Sequence, residues 1–120
     1  MELTTATAAL GALAHETRLQ VFRLLVRAGR EGLPVGRIAE ELGVAADGRL
    51  SFHLKELVAA GLAVSRQEGR FVYYATQYEA MNALLQFLTE DCCGGVPCDA
   101  EAAACAPAAK TKTASRRKSA

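Results

Sequence analysis

At Gly61 the hydrophobic period of the chain changes. Before it, Leu50, Leu54, Leu57 and Val58 in RLSFHLKELVAAG recur at the 3.6-residue spacing of an amphipathic helix. After it come LAVSR and RFVYYAT, two β-prone runs separated by a turn containing Gly69, which predict an antiparallel hairpin. A helix that closes on a glycine and passes at once into a hairpin leaves few architectures open to 120 residues, enough for one folded domain and a tail.

The flanking segments narrow the choice further. Leu10 and Leu13 predict a short first helix, and ETRLQVFRLLVRAG a longer one with Leu19, Phe22 and Leu25 or Val26 as its stripe. Gly29 and Pro34 end that helix. Val35, Ile38, Ala39 and Leu42 then give a two-turn helix stopping at Gly43, and VAADG links it to the helix before Gly61. Behind the hairpin, YEAMNALLQFLTED carries Met81, Leu84, Leu85 and Leu88 with no later domain to cover them, so this stripe is expected to pack against a second copy. The expected fold is mainly α with a β-hairpin, a dimeric winged helix-turn-helix.

In such a fold the segment from Arg49 to Ala60 is the helix that enters the DNA major groove, N-terminal residues first. Its outer face presents Arg49, Phe52, Lys55 and Glu56, flanked by Ser51 and His53. Arg49 suits a guanine edge or a phosphate, Ser51 and His53 can donate to either, Phe52 can meet a thymine methyl, and Lys55 suits phosphate. Arg66 and Arg70 flank the hairpin turn, within reach of backbone or minor groove. Each residue taken singly has a plainer role: His53 can brace the bundle, Phe52 can fold back on a neighbour, and the hairpin arginines can be solvated.

Net charge does not announce nucleic acid. Five of the fourteen basic residues (Lys110, Lys112, Arg116, Arg117, Lys118) lie in the last eleven positions, and residues 1–109 hold nine positive against thirteen negative charges, a net of −4. Any DNA-binding surface must therefore be local. No apolar run approaches the roughly 20 residues of a membrane span, and MELTTATAAL lacks the form of a secretory signal, so the expected location is the cytoplasm, without membrane partners.

The stretches LSFHLKELVAAGLAVSRQEGRFVYY and LAHETRLQVFRLLV resemble the recognition helix with its wing, and the second helix, of the arsenic-repressor (ArsR/SmtB) family. The resemblance covers roughly residues 8–90. It implies a homodimer, paired through first and last helices, that binds double-stranded operator DNA without a cofactor and represses an operon until a metal or metalloid effector binds. His15 stands where many members carry Asp, which alters the expected helix cap. Two sensor sites common in the family have no counterpart here: GRIAEELGVAADGRL holds no cysteine, and YEAMNALLQFLTED no histidine.

All four cysteines, Cys92, Cys93, Cys98 and Cys105, lie within fourteen residues. In a reducing compartment such clustering points to metal binding or redox sensing rather than disulfides. Cys92, Cys93 and Cys98 can supply a soft three-thiolate site. Adjacent helical residues point about 100° apart, so the first two chelate one atom only where the helix unwinds, which Gly94 and Gly95 favour. Arsenic(III) takes three thiolates in a pyramid, and antimony(III) is chemically close. With Cys105 as fourth ligand a tetrahedral zinc or cadmium site stays open, as does redox control. Arsenic repressors with a Cys-Cys pair and a third Cys after the last helix are similar to this arrangement, which favours arsenic(III); members with the pair alone suggest a methylated trivalent arsenical. A thiol-dependent arsenate reductase fits less well, for want of a Cys-x-x-Cys pair. The expected organisation is 1–91 for DNA binding and dimerisation, 92–105 for the metalloid, and 106–120 as a disordered basic tail.

Overall fold

The computed structural model describes residues 1–95. Cys98, Cys105 and the tail 106–120 lie outside the described residues. Two units are distinguished, Met1–Phe87 and a second beginning at Leu88.

In the first unit, α1 (Leu3–Leu13), α2 (Glu16–Ala28), α3 (Val35–Leu42) and α4 (Gly48–Ala59) precede a hairpin of β2 (Ala63–Glu68) and β3 (Phe71–Thr76), and α5 (Tyr78–Thr89) follows. Leu50, Leu54 and Leu57 of α4, Val21 and Leu25 of α2, Ile38 of α3 and Leu62 are all buried and share one core. The stripes expected on α3 and α4 are the ones the core receives.

Other elements depart from expectation. The first helix runs eleven residues and buries Ala6, Ala9 and Ala12, while Leu10 is exposed. Methyl side chains on that face let the helix approach the core closely, and the larger leucines fall at its rim. On α2 the buried set is Val21, Phe22, Leu24 and Leu25; Leu19 lies about 160° round the helix from Val21 and is exposed. On α5 only Leu84 of the expected stripe is fully buried, with Met81 and Phe87 packed against the core and Leu85 exposed.

A third strand, β1 (Leu33–Pro34), lies inside the segment expected only to end α2. It pairs antiparallel with β3, Leu33 opposite Tyr74 and Pro34 opposite Tyr73, giving the sheet order β1-β3-β2. Gly32 makes this possible. Its φ is +75°, and a Cβ there would stand 2.1 Å from the Tyr74 carbonyl oxygen. The sheet therefore ties the entry of α3 to the hairpin, and through it the helix-turn-helix to the wing.

The turn between α3 and α4 starts at Gly43, left-handed (φ 69°, ψ 32°), whose amide donates to the Ala39 and Glu40 carbonyls. It ends at Asp47, whose side chain caps α4 by accepting from the amides of Arg49 (3.0 Å) and Leu50 (3.4 Å). At the other end of the domain, the Tyr78 hydroxyl donates to the Val26 carbonyl at 3.0 Å, meeting one of the carbonyls left open at the end of α2.

The described part of the second unit runs from the end of α5 into a tight turn, Cys92–Gly95. The backbone is left-handed at Asp91, Cys93 and Gly94. Among the described residues no helix is long and apolar enough to cross a membrane.

Candidate nucleic-acid interface

Because Leu50, Leu54 and Leu57 anchor one side of α4, the other side is turned outward from its first residue. Arg49 is about nine-tenths exposed and held only by a 3.5 Å ion pair with Asp47. Lys55 is exposed, Ser51 half-buried, and Phe52 is 53% exposed. A large aromatic ring left half in water near the start of a helix is the sort of group that gains from a partner surface. The amide of Leu50, helped by the amide and charge of Arg49, holds the Asp47 carboxyl below its usual range against the opposing effect of desolvation.

His53 is placed differently from the other four. It turns toward the start of α2, where its ring lies 4.5 Å from that of His15 and its Nδ1 accepts from Arg18 Nε at 3.2 Å. The same guanidinium stands 5.7 Å from the centre of the Phe52 ring. Burial, then the charges of His15 and Arg18, lower the His53 pKa from its ordinary value, which favours the neutral imidazole. His15 serves as the N-cap of α2, its Nδ1 accepting from the Thr17 amide at 3.2 Å, so the residue that replaces the family's usual Asp still caps the helix.

The wing is a two-residue hairpin. Glu68 faces Phe71 across it, with Gly69 and Arg70 at the turn. Gly69 has φ 62° and Arg70 is not among the positive-φ residues, the signature of a type II′ turn whose twist suits the flanking strands. Arg70 thus projects at the tip. Arg66 is set back, hydrogen-bonded to Glu68 and 4.9 Å over the Tyr73 ring, so its direction is fixed within the hairpin.

Arg49, Ser51, Phe52 and Lys55 are therefore gathered on the free side of one helix, and Arg66 and Arg70 on one hairpin. Arg18 and Phe71 are residues that pattern reading overlooked, and His15 was singled out there only for the helix cap. Phe71, 59% exposed beside Arg70, was legible as an apolar residue at a turn. The pairing of Arg18 with His53 spans 35 positions and has no local signature.

At the end of α5, Cys92 and Cys93 are exposed cysteines whose sulfurs lie 3.7 Å apart. The helix has already ended at Thr89. The adjacent sulfurs meet across the left-handed turn rather than diverging along a helix. An atom bound by two bonds of about 2.3 Å, the zinc–thiolate length, would span that separation at an angle near 107°. The described residues contain no group of three or more Cys, His, Asp or Glu suited to a metal.

A family model described as a helix-turn-helix domain matches residues 13–66. Among solved structures, the chain is 31% identical to HlyU from Vibrio cholerae N16961 over 78% of this chain and 99% of that one, with TM-score 0.58. A possible transcriptional regulator for arsenical resistance is 30% identical, covering 69% and 81% of the two chains, TM-score 0.58. The homodimeric winged helix-turn-helix domain of Mb0332 from Mycobacterium bovis, a possible ArsR-family regulator, is 28% identical, covering 78% and 86%, TM-score 0.58. No curated protein sequence matches significantly. These likenesses follow the same elements that build the α4 face and the wing, and they replace the reductase reading: the chain belongs to the ArsR family of winged-helix, DNA-binding transcriptional regulators.

Proposed function

We propose that this regulator is a homodimeric repressor released from operator DNA when trivalent arsenic binds Cys92, Cys93 and Cys98. The observation that carries the effector reading is the 3.7 Å separation of two adjacent sulfurs on a left-handed turn just past α5. Left-handed backbone at Asp91 and Cys93 is costly for residues with a Cβ, and such cost collects at sites that use it. Only His15 and His53 offer imidazole ligands, and both are engaged at the α2–α4 contact, which leaves sulfur as the soft donor set. The likeness to a possible regulator of arsenical resistance supports the same effector. Exposed Leu3 and Leu10 on α1 and Leu85 on α5, with a homodimeric relative, support dimerisation.

In this reading Arg49, Ser51, Phe52 and Lys55 face the major groove, His53 meets it from the flank beside α2, and Arg66 and Arg70 face the flanking backbone or minor groove. Arsenic captured after α5 and operator DNA each weaken the other's binding by one coupling energy. A redox-responsive repressor is the second reading, favoured by the closeness of two exposed thiols.

Fluorescence anisotropy of the complex with the duplex upstream of the protein's own gene, titrated with arsenite, antimonite, methylarsenite, zinc, cadmium and peroxide, decides between them. Arsenite is expected to dissociate the complex, and Cys98→Ser to abolish its effect. Dissociation by zinc or peroxide with no response to arsenite overturns the arsenic assignment.

A further inference from the structure

We propose that Arg18 is a positioning residue for operator recognition: it locks His53 in the tautomer bearing its proton on Nε2, so that the recognition helix presents one fixed donor beside Phe52. This role presupposes that α4 reads the DNA.

A neutral imidazole has one donor nitrogen and one acceptor nitrogen. Arg18 Nε can only donate, and it does so to His53 Nδ1 at 3.2 Å, so the imidazole proton must sit on Nε2. One guanidinium thereby serves two neighbouring residues of α4, bonding His53 and standing over the Phe52 ring at 5.7 Å. The His15 ring, 4.5 Å from that of His53, closes a further side. Both His53 and Arg18 are half-buried. Among the described residues nothing accepts a hydrogen bond from His53 Nε2.

The charged groups bearing on His53 are His15 and Arg18, from the start of α2. Of the other elements packed on α4, α1 has no ionisable side chain, and β2 brings Arg66 and Glu68, which pair with each other. Neutral His53 is thus favoured near pH 7, and its protonation would remove the acceptor that Arg18 needs.

A fixed Nε2–H donor in the major groove selects acceptors: guanine N7 and O6, adenine N7 or thymine O4. It disfavours the cytosine amino group. Without Arg18 the ring can flip or change tautomer, and that selection is lost while the phosphate contacts of Lys55, Arg66 and Arg70 persist. Arg18 therefore acts on preference between sequences more than on attraction to DNA.

The test combines two measurements on the full-length protein. Nitrogen-15 imidazole spectra at pH 7.5 report the tautomer directly: the Nε2–H form is expected for wild-type His53, and a mixture for Arg18→Ala. The same proteins, with Arg18→Lys, are titrated against the upstream duplex and a random-sequence duplex at one salt concentration. Arg18→Ala is expected to lose about threefold to tenfold of the preference for the upstream duplex, one hydrogen bond's worth. Random-duplex affinity is expected to stay near wild type in both variants, and Arg18→Lys, which keeps the charge without the planar bridge to Phe52, to recover only part of the preference. The wild-type preference falls as pH is lowered through the His53 titration, and that fall is absent from Arg18→Ala. An Nδ1–H tautomer in wild type, or equal loss of affinity for both duplexes in Arg18→Ala, overturns the proposal. A wild-type protein with the expected tautomer but no preference for the upstream duplex refutes instead the DNA-reading role of α4.

Discussion

Replacing Gly32 by alanine tests whether the short β1–β3 pairing holds the helix-turn-helix to the wing. Two costs add. The backbone at φ +75° costs a residue with a Cβ about 1–2 kcal/mol. The new methyl would also stand 2.1 Å from the Tyr74 carbonyl oxygen and 2.8 Å from its carbon, where real Cβ contacts essentially never fall below 3.0 Å. The strands must then part by roughly one ångström, giving up ladder bonds at Leu33–Tyr74 worth about 1 kcal/mol each, with some unpacking of buried Tyr74. The expected loss is about 3–4 kcal/mol. Gly43→Ala is the control, since it shares the positive φ but meets nothing within 4 Å, and it should cost only about 1–2 kcal/mol. Urea denaturation of both variants and wild type at one protein concentration, followed by circular dichroism, measures the difference. If Gly32→Ala loses no more stability than Gly43→Ala, the clash with Tyr74 is not what makes this position special, and the sheet does not bind wing to helices as described.

Tyr78→Phe removes the hydroxyl that meets the Val26 carbonyl and is expected to cost about 1 kcal/mol, a fall in Tm of about 4–8 °C by calorimetry; no change would mean that water satisfies that carbonyl equally well. Thr76→Val should stabilise by up to about 1 kcal/mol, because the buried Thr76 hydroxyl has no hydrogen-bond partner among the described residues; a loss in chemical denaturation would show that the oxygen is satisfied in solution. Acid should weaken the fold in two stages. With the His53 pKa lowered, the unfolded chain takes up its proton first, so this contribution is whole above about pH 6.5 and declines as pH falls toward the folded value. Asp47 gives the second stage, its contribution whole above about 3.8 and lost as pH falls through its lowered folded pKa. Stability against pH for His53→Gln should lack the first decline, and an unchanged curve would refute the assignment.

The helix-turn-helix was legible because Ile38 and Ala39, and Leu50, Leu54 and Leu57, each follow the helical period on a face with one thing to do, and because Gly43 and Gly61 punctuate them. The hairpin was legible from the change of period and from Gly69. Local pattern misled on α1, where alanines rather than Leu10 face the core, since small side chains carry little hydrophobic signal yet permit the closest approach. The two-residue β1 is too short for any period, and Gly32 reveals its purpose only once Tyr74 stands opposite. On the outer face of α4, Arg49, Phe52 and Lys55 could be placed by counting along a helix. The tie from Arg18 to His53 could not, because it depends on how α2 and α4 cross.

The sheet order β1-β3-β2 has a consequence for how copies of this protein meet in a crowded cell. One border strand is two residues long and includes Pro34, which has no amide proton to offer; the other, β2, carries Arg66, Gln67 and Glu68 in its outer half. Neither border invites an incoming strand, so the sheet is a poor template for aggregation. Self-association through strand pairing is thereby disfavoured at the hairpin, whose tip stays unencumbered.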